Sequence, residues 1–315
     1  MMSKLIYIYI MCLLLFISSC GTYTTYYGET YTHINIDAIS KIHRLDLSHQ
    51  NLKTLPSAIY DIKHLRMVNL SNNRLLDLEQ SLEQLSIHKE IEVLILDSLQ
   101  IKKIPTTIQL FPKLKQISLI NNPDIDIADL VSQISELPIT FLNLKGNNIT
   151  KLPQNISTLS SLRDLNLSYN QLHDTPSYSY LGKLPKLYSL WIDHNKLTEL
   201  PETIGSLDQV RFLYIDHNKL NTLPHQLSTM RKFWVIHAGY NEFAELPEVF
   251  ASMRVLLMVH INNNQIQFIP EIYETEKYPL AGLLLDNNPL SVSEIKKAKK
   301  VFKGFFLLSF GQKEY

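Results

Sequence analysis

The sequence predicts an α/β solenoid, an open coil with a parallel β-sheet along its inner curve and short helical turns along the outer one. Three observations carry that prediction. An apolar pattern returns every 23 to 26 residues, eleven times in succession between Ile42 and Leu280. The ninth residue of the unit is asparagine in nine of the eleven. The only cysteines, Cys12 and Cys20, lie in the first twenty residues, so the body is held by packing and not by disulfides or thiolate metal sites. So regular a period is the mark of stacked supersecondary units, each burying its apolar face against the next.

The units begin at Ile42, Leu65, Ile91, Leu114, Ile139, Leu162, Leu187, Val210, Phe233, Leu256 and Leu280. Within the eighth, V-R-F-L-Y-I-D-H-N-K-L-N-T-L-P, the apolar residues Val210, Leu213, Ile215, Leu220 and Leu223 frame Asn218. The strand is expected over the third to fifth positions, with the fourth and sixth side chains inward and their neighbours outward. The corner after each strand turns backbone amides and carbonyls inward. Asn73, Asn122, Asn147, Asn170, Asn195, Asn218, Asn241, Asn264 and Asn288 are placed to satisfy both kinds of group, because a carboxamide donates and accepts. The second half, as in Leu152-Pro153 with Ile156 and Leu159, suits 3₁₀ turns or tight irregular helices on the convex side.

The order L-x-x-L-x-L-x-x-N-x-L, continued by x-x-L-P, resembles the leucine-rich repeats of Ras-associated scaffold proteins and their bacterial counterparts, over about residues 40 to 290. The resemblance implies a horseshoe of about eleven repeats plus caps, and a non-catalytic recognition module. Repeat three departs from it with Leu99 at the asparagine position and three extra residues before it; repeat four has no Leu-Pro. A local irregularity or bulge is therefore expected between about 76 and 130.

An open solenoid must cap its ends. The N-terminal cap is expected over His33 to Lys41, with Ile34, Ile36 and Ile39 apolar. The repeat domain is taken as 33–290, and the C-terminal cap as 291–315: a helix with Ile295, Ala298 and Phe302 on one side, then a degenerate strand with Phe305, Leu307 and Phe310.

Residues 1–19 read as a signal peptide, with Lys4, the apolar run Leu5 to Ile17 and two serines before Cys20. Ile17-Ser18-Ser19-Cys20 resembles a bacterial lipobox. That resemblance implies acylation of Cys20, membrane attachment through its acyl chains and a place in the bacterial cell envelope. Gly21 does not resemble an inner-membrane retention signal, so the outer membrane is expected in a Gram-negative cell. The polar, Tyr/Thr-rich stretch to residue 32 is expected to be a tether.

Thirty basic residues balance 30 acidic ones, which leaves no whole-chain field for nucleic acid, and none is expected as a partner. The usual catalytic and nucleotide-binding signatures are absent, so neither an enzyme nor a cofactor is expected.

The outward concave positions of repeats one to six are mostly small or polar, with Phe141 and Tyr169 as the aromatic exceptions. Repeats seven to nine read differently: Tyr188, Ser189, Trp191, Asp193, His194; Arg211, Phe212, Tyr214, Asp216, His217; Trp234, Val235, His237, Gly239, Tyr240. Six of these fifteen are Phe, Trp or Tyr, although the chain as a whole is 10% aromatic. Aromatics suit strands in general, but that does not confine them to one third of the array. Trp191, Tyr214, His237 and His260 are expected to form one column and His194, His217 and Tyr240 another, beside Asp193 and Asp216. Amphipathic rings with Arg211 and carboxylates have the composition of a binding hot spot for a protein or peptide. A glycan is the weaker alternative, as is a structural role in envelope assembly. Two imidazoles and two carboxylates also raise a metal reading, but D-H-N follows from the repeat itself, and no metal site is assigned.

Overall fold

In the computed structural model, which describes residues 29–311, a single parallel sheet of 13 strands runs the length of the chain. Spatial order equals sequence order, so the sheet is open at both ends. The expected signal peptide, Cys20 and most of the tether lie outside the described residues. After the two-residue β1 (Thr30–Tyr31) come three-residue strands: β2 (Arg44–Asp46), β3 (Met67–Asn69), β4 (Val93–Ile95), β5 (Gln116–Ser118), β6 (Phe141–Asn143) and β7 (Asp164–Asn166). They continue as β8 (Ser189–Trp191), β9 (Phe212–Tyr214), β10 (Val235–His237), β11 (Met258–His260), β12 (Gly282–Leu284) and β13 (Leu307–Ser309). This is the predicted α/β solenoid. In each repeat the third to fifth residues form the strand, and like positions pair with like, as in Trp191 with Tyr214 and Tyr214 with His237.

The inward positions make the core. Val210, Leu213, Ile215 and Leu220 are each 0% exposed in repeat eight, and truncating one such side chain to alanine costs about 2–5 kcal/mol. The asparagine ladder binds repeat to repeat as the chemistry requires. Asn218 Oδ1 accepts from the backbone N–H of Asn195 at 2.9 Å and of Leu197 at 3.1 Å, while its Nδ2 donates to the carbonyls of Ile192 at 3.1 Å and Ile215 at 2.9 Å. Asn73, Asn122, Asn147, Asn170, Asn195, Asn241, Asn264 and Asn288 are buried likewise.

The convex side follows two local rules. At Leu55-Pro56, Ile104-Pro105, Leu152-Pro153, Leu200-Pro201 and Leu223-Pro224 the proline caps a five-residue 3₁₀ turn and its carbonyl accepts from the residue three on, as from Ile156 N–H to Pro153 at 3.1 Å. In the 25- and 26-residue repeats an aspartate caps a true helix instead: Asp77 for α1 (Leu78–Leu85), Asp126 for α2 (Ile127–Ile134) and Asp174 for α3 (Thr175–Leu181). Each aspartate accepts a backbone N–H three residues on, from Gln80, Asp129 and Ser177. The irregularity expected between 76 and 130 is thus absorbed outside as helix, and β3 to β6 pair without a bulge. Two one-turn helices follow, α4 (Val249–Ser252) and α5 (Ile272–Thr275).

At the C-terminus α6 (Val292–Val301) buries Ala298, with Phe302 just beyond it, and β13 closes the sheet as expected. At the N-terminus the cap differs in detail. Ile34 and Ile39 pack on the core, but Ile36 is 79% exposed, since it opens a 3₁₀ turn over Ile36–Lys41 that is anchored through Ile39. Thr30 and Tyr31, assigned to the tether, pair with Arg44 and Leu45, so the sheet starts earlier than the sequence reading placed it.

Candidate recognition surface on the concave face

The third position of most repeats, expected to face outward, does so beneath its neighbours, while Arg44, Gln116 and Asp164 stay half-buried. Met67, Val93, Phe141, Ser189, Phe212, Val235 and Met258 are all buried. Strands spaced about 4.8 Å apart bring flanking side chains over them. Phe212, Val235 and Met258 form a small apolar floor of their own, overlaid by Tyr188, Tyr214 and Trp234. Phe212 therefore lies within the predicted patch but supports it from below.

On that floor stand the two expected columns. In the fifth-position column, Trp191 and Tyr214 stack with centroids 4.9 Å apart and planes at 9°, and Tyr214 and His237 at 4.4 Å, while His237 and His260 lie 4.1 Å apart with their planes tilted by 37°. Phe141 meets the far side of Trp191 edge-on at 6.5 Å. In the eighth-position column, His194 and His217 stack at 4.2 Å, and His217 and Tyr240 at 4.1 Å. Tyr169, outside the predicted patch, extends it: its ring lies 3.9 Å from that of His194, and Lys145 Nζ sits 4.4 Å from the Tyr169 centroid.

The backbone under the second column is unusual. The eighth residue of all eleven repeats is left-handed, with φ between +52° and +71°. Asparagine or glycine suits that conformation, and Asn72, Asn121, Gly146, Asn263 and Asn287 fill it so. Tyr169, His194, His217 and Tyr240 hold it at φ 57°, 54°, 52° and 54°. Histidine tolerates that conformation, as His49 does in the first repeat, but tyrosine is disfavoured there, so Tyr169 and Tyr240 are not what folding alone would select.

Two carboxylates lie between the columns. Asp193 pairs with His194 Nδ1 at 2.9 Å and accepts from the Ser168 hydroxyl. Asp216 Oδ1 accepts from the Gly239 N–H at 2.9 Å. Burial, opposed in part by that hydrogen bond and reinforced by the Asp193 charge, pushes the Asp216 carboxyl up to about 6. Burial lowers His237 to about 3, aided by His260, and His260 to about 4. His217 is lowered too, by burial and by His194. At neutral pH the fifth-position column is thus an uncharged platform of rings.

Face-to-face stacking aims the imidazole nitrogens side by side and not at a common point. Among the described residues no group of three or more His, Cys, Asp or Glu is arranged to hold a metal ion. Nor, among them, is any helix long and apolar enough to cross a membrane.

Residues 160–204 match the family model for leucine-rich repeats in two copies. Bovine (Bos taurus) osteomodulin is 41% identical over 63 residues, a match spanning 20% of this chain and only 14% of that protein. Among solved structures, an internalin from Listeria monocytogenes superposes with a TM-score of 0.62 at 19% identity, over 91% of this chain and 80% of that one. The TLR13–ssRNA13 complex does so with a TM-score of 0.68 at 19% identity, over 88% of this chain and 44% of the other. Residues 160–204 thus match leucine-rich repeats, and the rest of the described chain shares their repeat signature and the leucine-rich repeat solenoid fold.

Proposed function

We propose that this is a non-catalytic recognition protein that binds a protein or peptide through the concave face of repeats seven to ten, extended by Tyr169, and that acyl chains on Cys20 anchor it in the bacterial cell envelope. One observation carries the binding assignment: four consecutive rings, two of them tyrosines in left-handed positions that disfavour them, stack beside a second column of four. Stacked rings are preorganised and lose little entropy on binding, which is why aromatic clusters act as anchors. Trp191, Tyr214 and Trp234 are the anchors in this reading; Arg211, Asp193 and Asp216 orient the ligand.

Leucine-rich repeat proteins serve generally as recognition modules, which agrees with this reading. One structural neighbour is a complex with single-stranded RNA, and stacked rings also accept bases. Asp193 and Asp216 beside the columns repel a phosphate chain and favour the peptide. The membrane anchor rests on the lipobox pattern at Ile17 to Cys20.

The test is capture from envelope extract by the purified domain, comparing wild type with Trp191→Ala/Tyr214→Ala and with the convex-face variant Gln109→Ala. Loss of an anchor costs about 2 kcal/mol or more, so a protein partner is captured by wild type and Gln109→Ala but not by the double variant. Equal capture by all three overturns the assignment, and capture of RNA in place of protein replaces the peptide with nucleic acid. For the anchor, palmitate labelling is expected on the full chain and lost in Cys20→Ala; labelling that persists refutes it.

A further inference from the structure

The second position of each repeat forms a third column, along one flank of the concave face. In its first part the cations are neutralised. Arg66 lies 2.7 Å and Lys115 3.1 Å from the Glu92 carboxylate, and beside the column Lys113 lies 2.5 Å from Glu90. Further along, the same column reads Arg163, Tyr188, Arg211, Trp234, and cations alternate with rings. The Arg163 guanidinium lies 5.2 Å from the Tyr188 centroid; that of Arg211 lies 4.8 Å from Tyr188 and 4.6 Å from Trp234.

Among the described residues, neither arginine has a carboxylate within ion-pair distance. Between them lies a recess of about 270 Å³ lined by Arg163, Pro185, Lys186, Tyr188, Gln209 and Arg211, three cations and no acid. Asp164, next to Arg163 in sequence, is half-buried and hydrogen-bonded to Ser189, and the Arg163 charge acts on it only at longer range than an ion pair. Gln209 accepts from Lys232 Nζ at 2.6 Å. Arg211 Nε is buried without a hydrogen-bond partner among the described residues. Ring faces compensate part of a guanidinium's lost hydration, but its in-plane N–H groups still call for a planar oxyanion.

We propose that this recess is a carboxylate seat, where Arg163, Lys186 and Arg211 receive an acidic side chain or the C-terminus of a bound peptide. The proposal rests on the concave-face reading above and adds the chemistry of the ligand. Rings fix the guanidinium planes, and fixed guanidinium forks select a carboxylate by bidentate geometry and not by charge alone. A nucleic-acid strand is less well served. Its phosphates recur, whereas the adjoining columns offer Asp193, Asp216 and neutral rings in place of further cations.

The experiment measures binding of a fluorescein-labelled tetraglutamate peptide by polarisation, beside a C-terminally amidated tetraglutamine peptide that carries no carboxylate, a sulfated disaccharide and a single-stranded RNA oligonucleotide. Wild type is expected to prefer tetraglutamate to tetraglutamine by about fivefold or more, the scale of a half-buried ion pair. Arg163→Gln/Arg211→Gln abolishes the preference, and Arg163→Lys/Arg211→Lys, which keeps the charge but not the fork, retains part of it. Lys296→Gln/Lys299→Gln, on the basic helix α6, leaves it intact. No preference in wild type, or a preference unchanged in the Arg→Gln variant, overturns the seat. Tighter binding of the disaccharide or the RNA with the same arginine dependence overturns its assignment to a peptide. Trp191→Ala/Tyr214→Ala is expected to keep the glutamate preference, so failure of the seat and failure of the concave-face reading are read out separately.

Discussion

At the scale of single residues, the concave face holds titratable groups of opposite sign. The unfolded chain protonates its histidines near pH 6.5, whereas His237 and His260 are lowered to about 3 and about 4 when folded. The stability carried by their neutral rings is complete above about pH 6.5 and is lost as pH falls toward about 4. Asp216, raised to about 6, works the other way: its buried carboxylate costs stability above pH 6, and that cost fades as the group protonates on acidification. Two imidazoles outweigh one carboxylate, so these three groups together remove stability below about pH 6.5. His237→Gln/His260→Gln should reduce that loss by about 2 kcal/mol or more between pH 7 and pH 5. Thermal midpoints across that range check it, and an acid slope equal to that of wild type contradicts it.

At the scale of elements, the strands, the asparagine ladder and the ring columns were legible in the sequence because each rests on one position of a fixed repeat. Trp191 stacks on Tyr214, and His194 on His217, because the register is uniform. The convex side was less so. Leu-Pro and Ile-Pro start a 3₁₀ turn or a one-turn helix, as their spacing predicts, whereas the sequence does not announce Asp77, Asp126 and Asp174 as helix caps, although each falls at the thirteenth position of a long repeat. Asp126→Ala should cost about 1 kcal/mol, measurable by denaturant titration; no loss of stability contradicts the cap. The part played by Tyr169 was hidden for another reason. A ring isolated in its own repeat shows its partner, His194, only after the coil brings them together. The left-handed eighth position was likewise concealed, since His, Tyr and Ser stand there as often as Asn and Gly. Phe212 failed as an exposed contact because alternation along one strand takes no account of the strands beside it.

At the scale of the molecule, stability runs from neighbour to neighbour, and the ends matter accordingly. Phe302 is 1% exposed in an edge-to-face cluster with Tyr273 and Tyr278. Phe302→Ala should cost about 3–5 kcal/mol and act locally. Hydrogen exchange is expected to show β12 and β13 opening while β2 to β6 keep their protection; uniform loss of protection contradicts the nearest-neighbour account. The ring columns at mid-array are a different matter, since the claim is that binding maintains them. Replacing His194, His217 and Tyr240 together by asparagine, the residue that suits their backbone, exchanges ring stacking for relief of strain. Stacking contributes about 0.5–1.5 kcal/mol per pair and left-handed strain costs about 1–3 kcal/mol per site, and the two oppose each other, so the fold should survive. The most direct measurement is capture of the protein partner from envelope extract by this triple variant. The account predicts that capture is lost, and capture equal to that of wild type contradicts it.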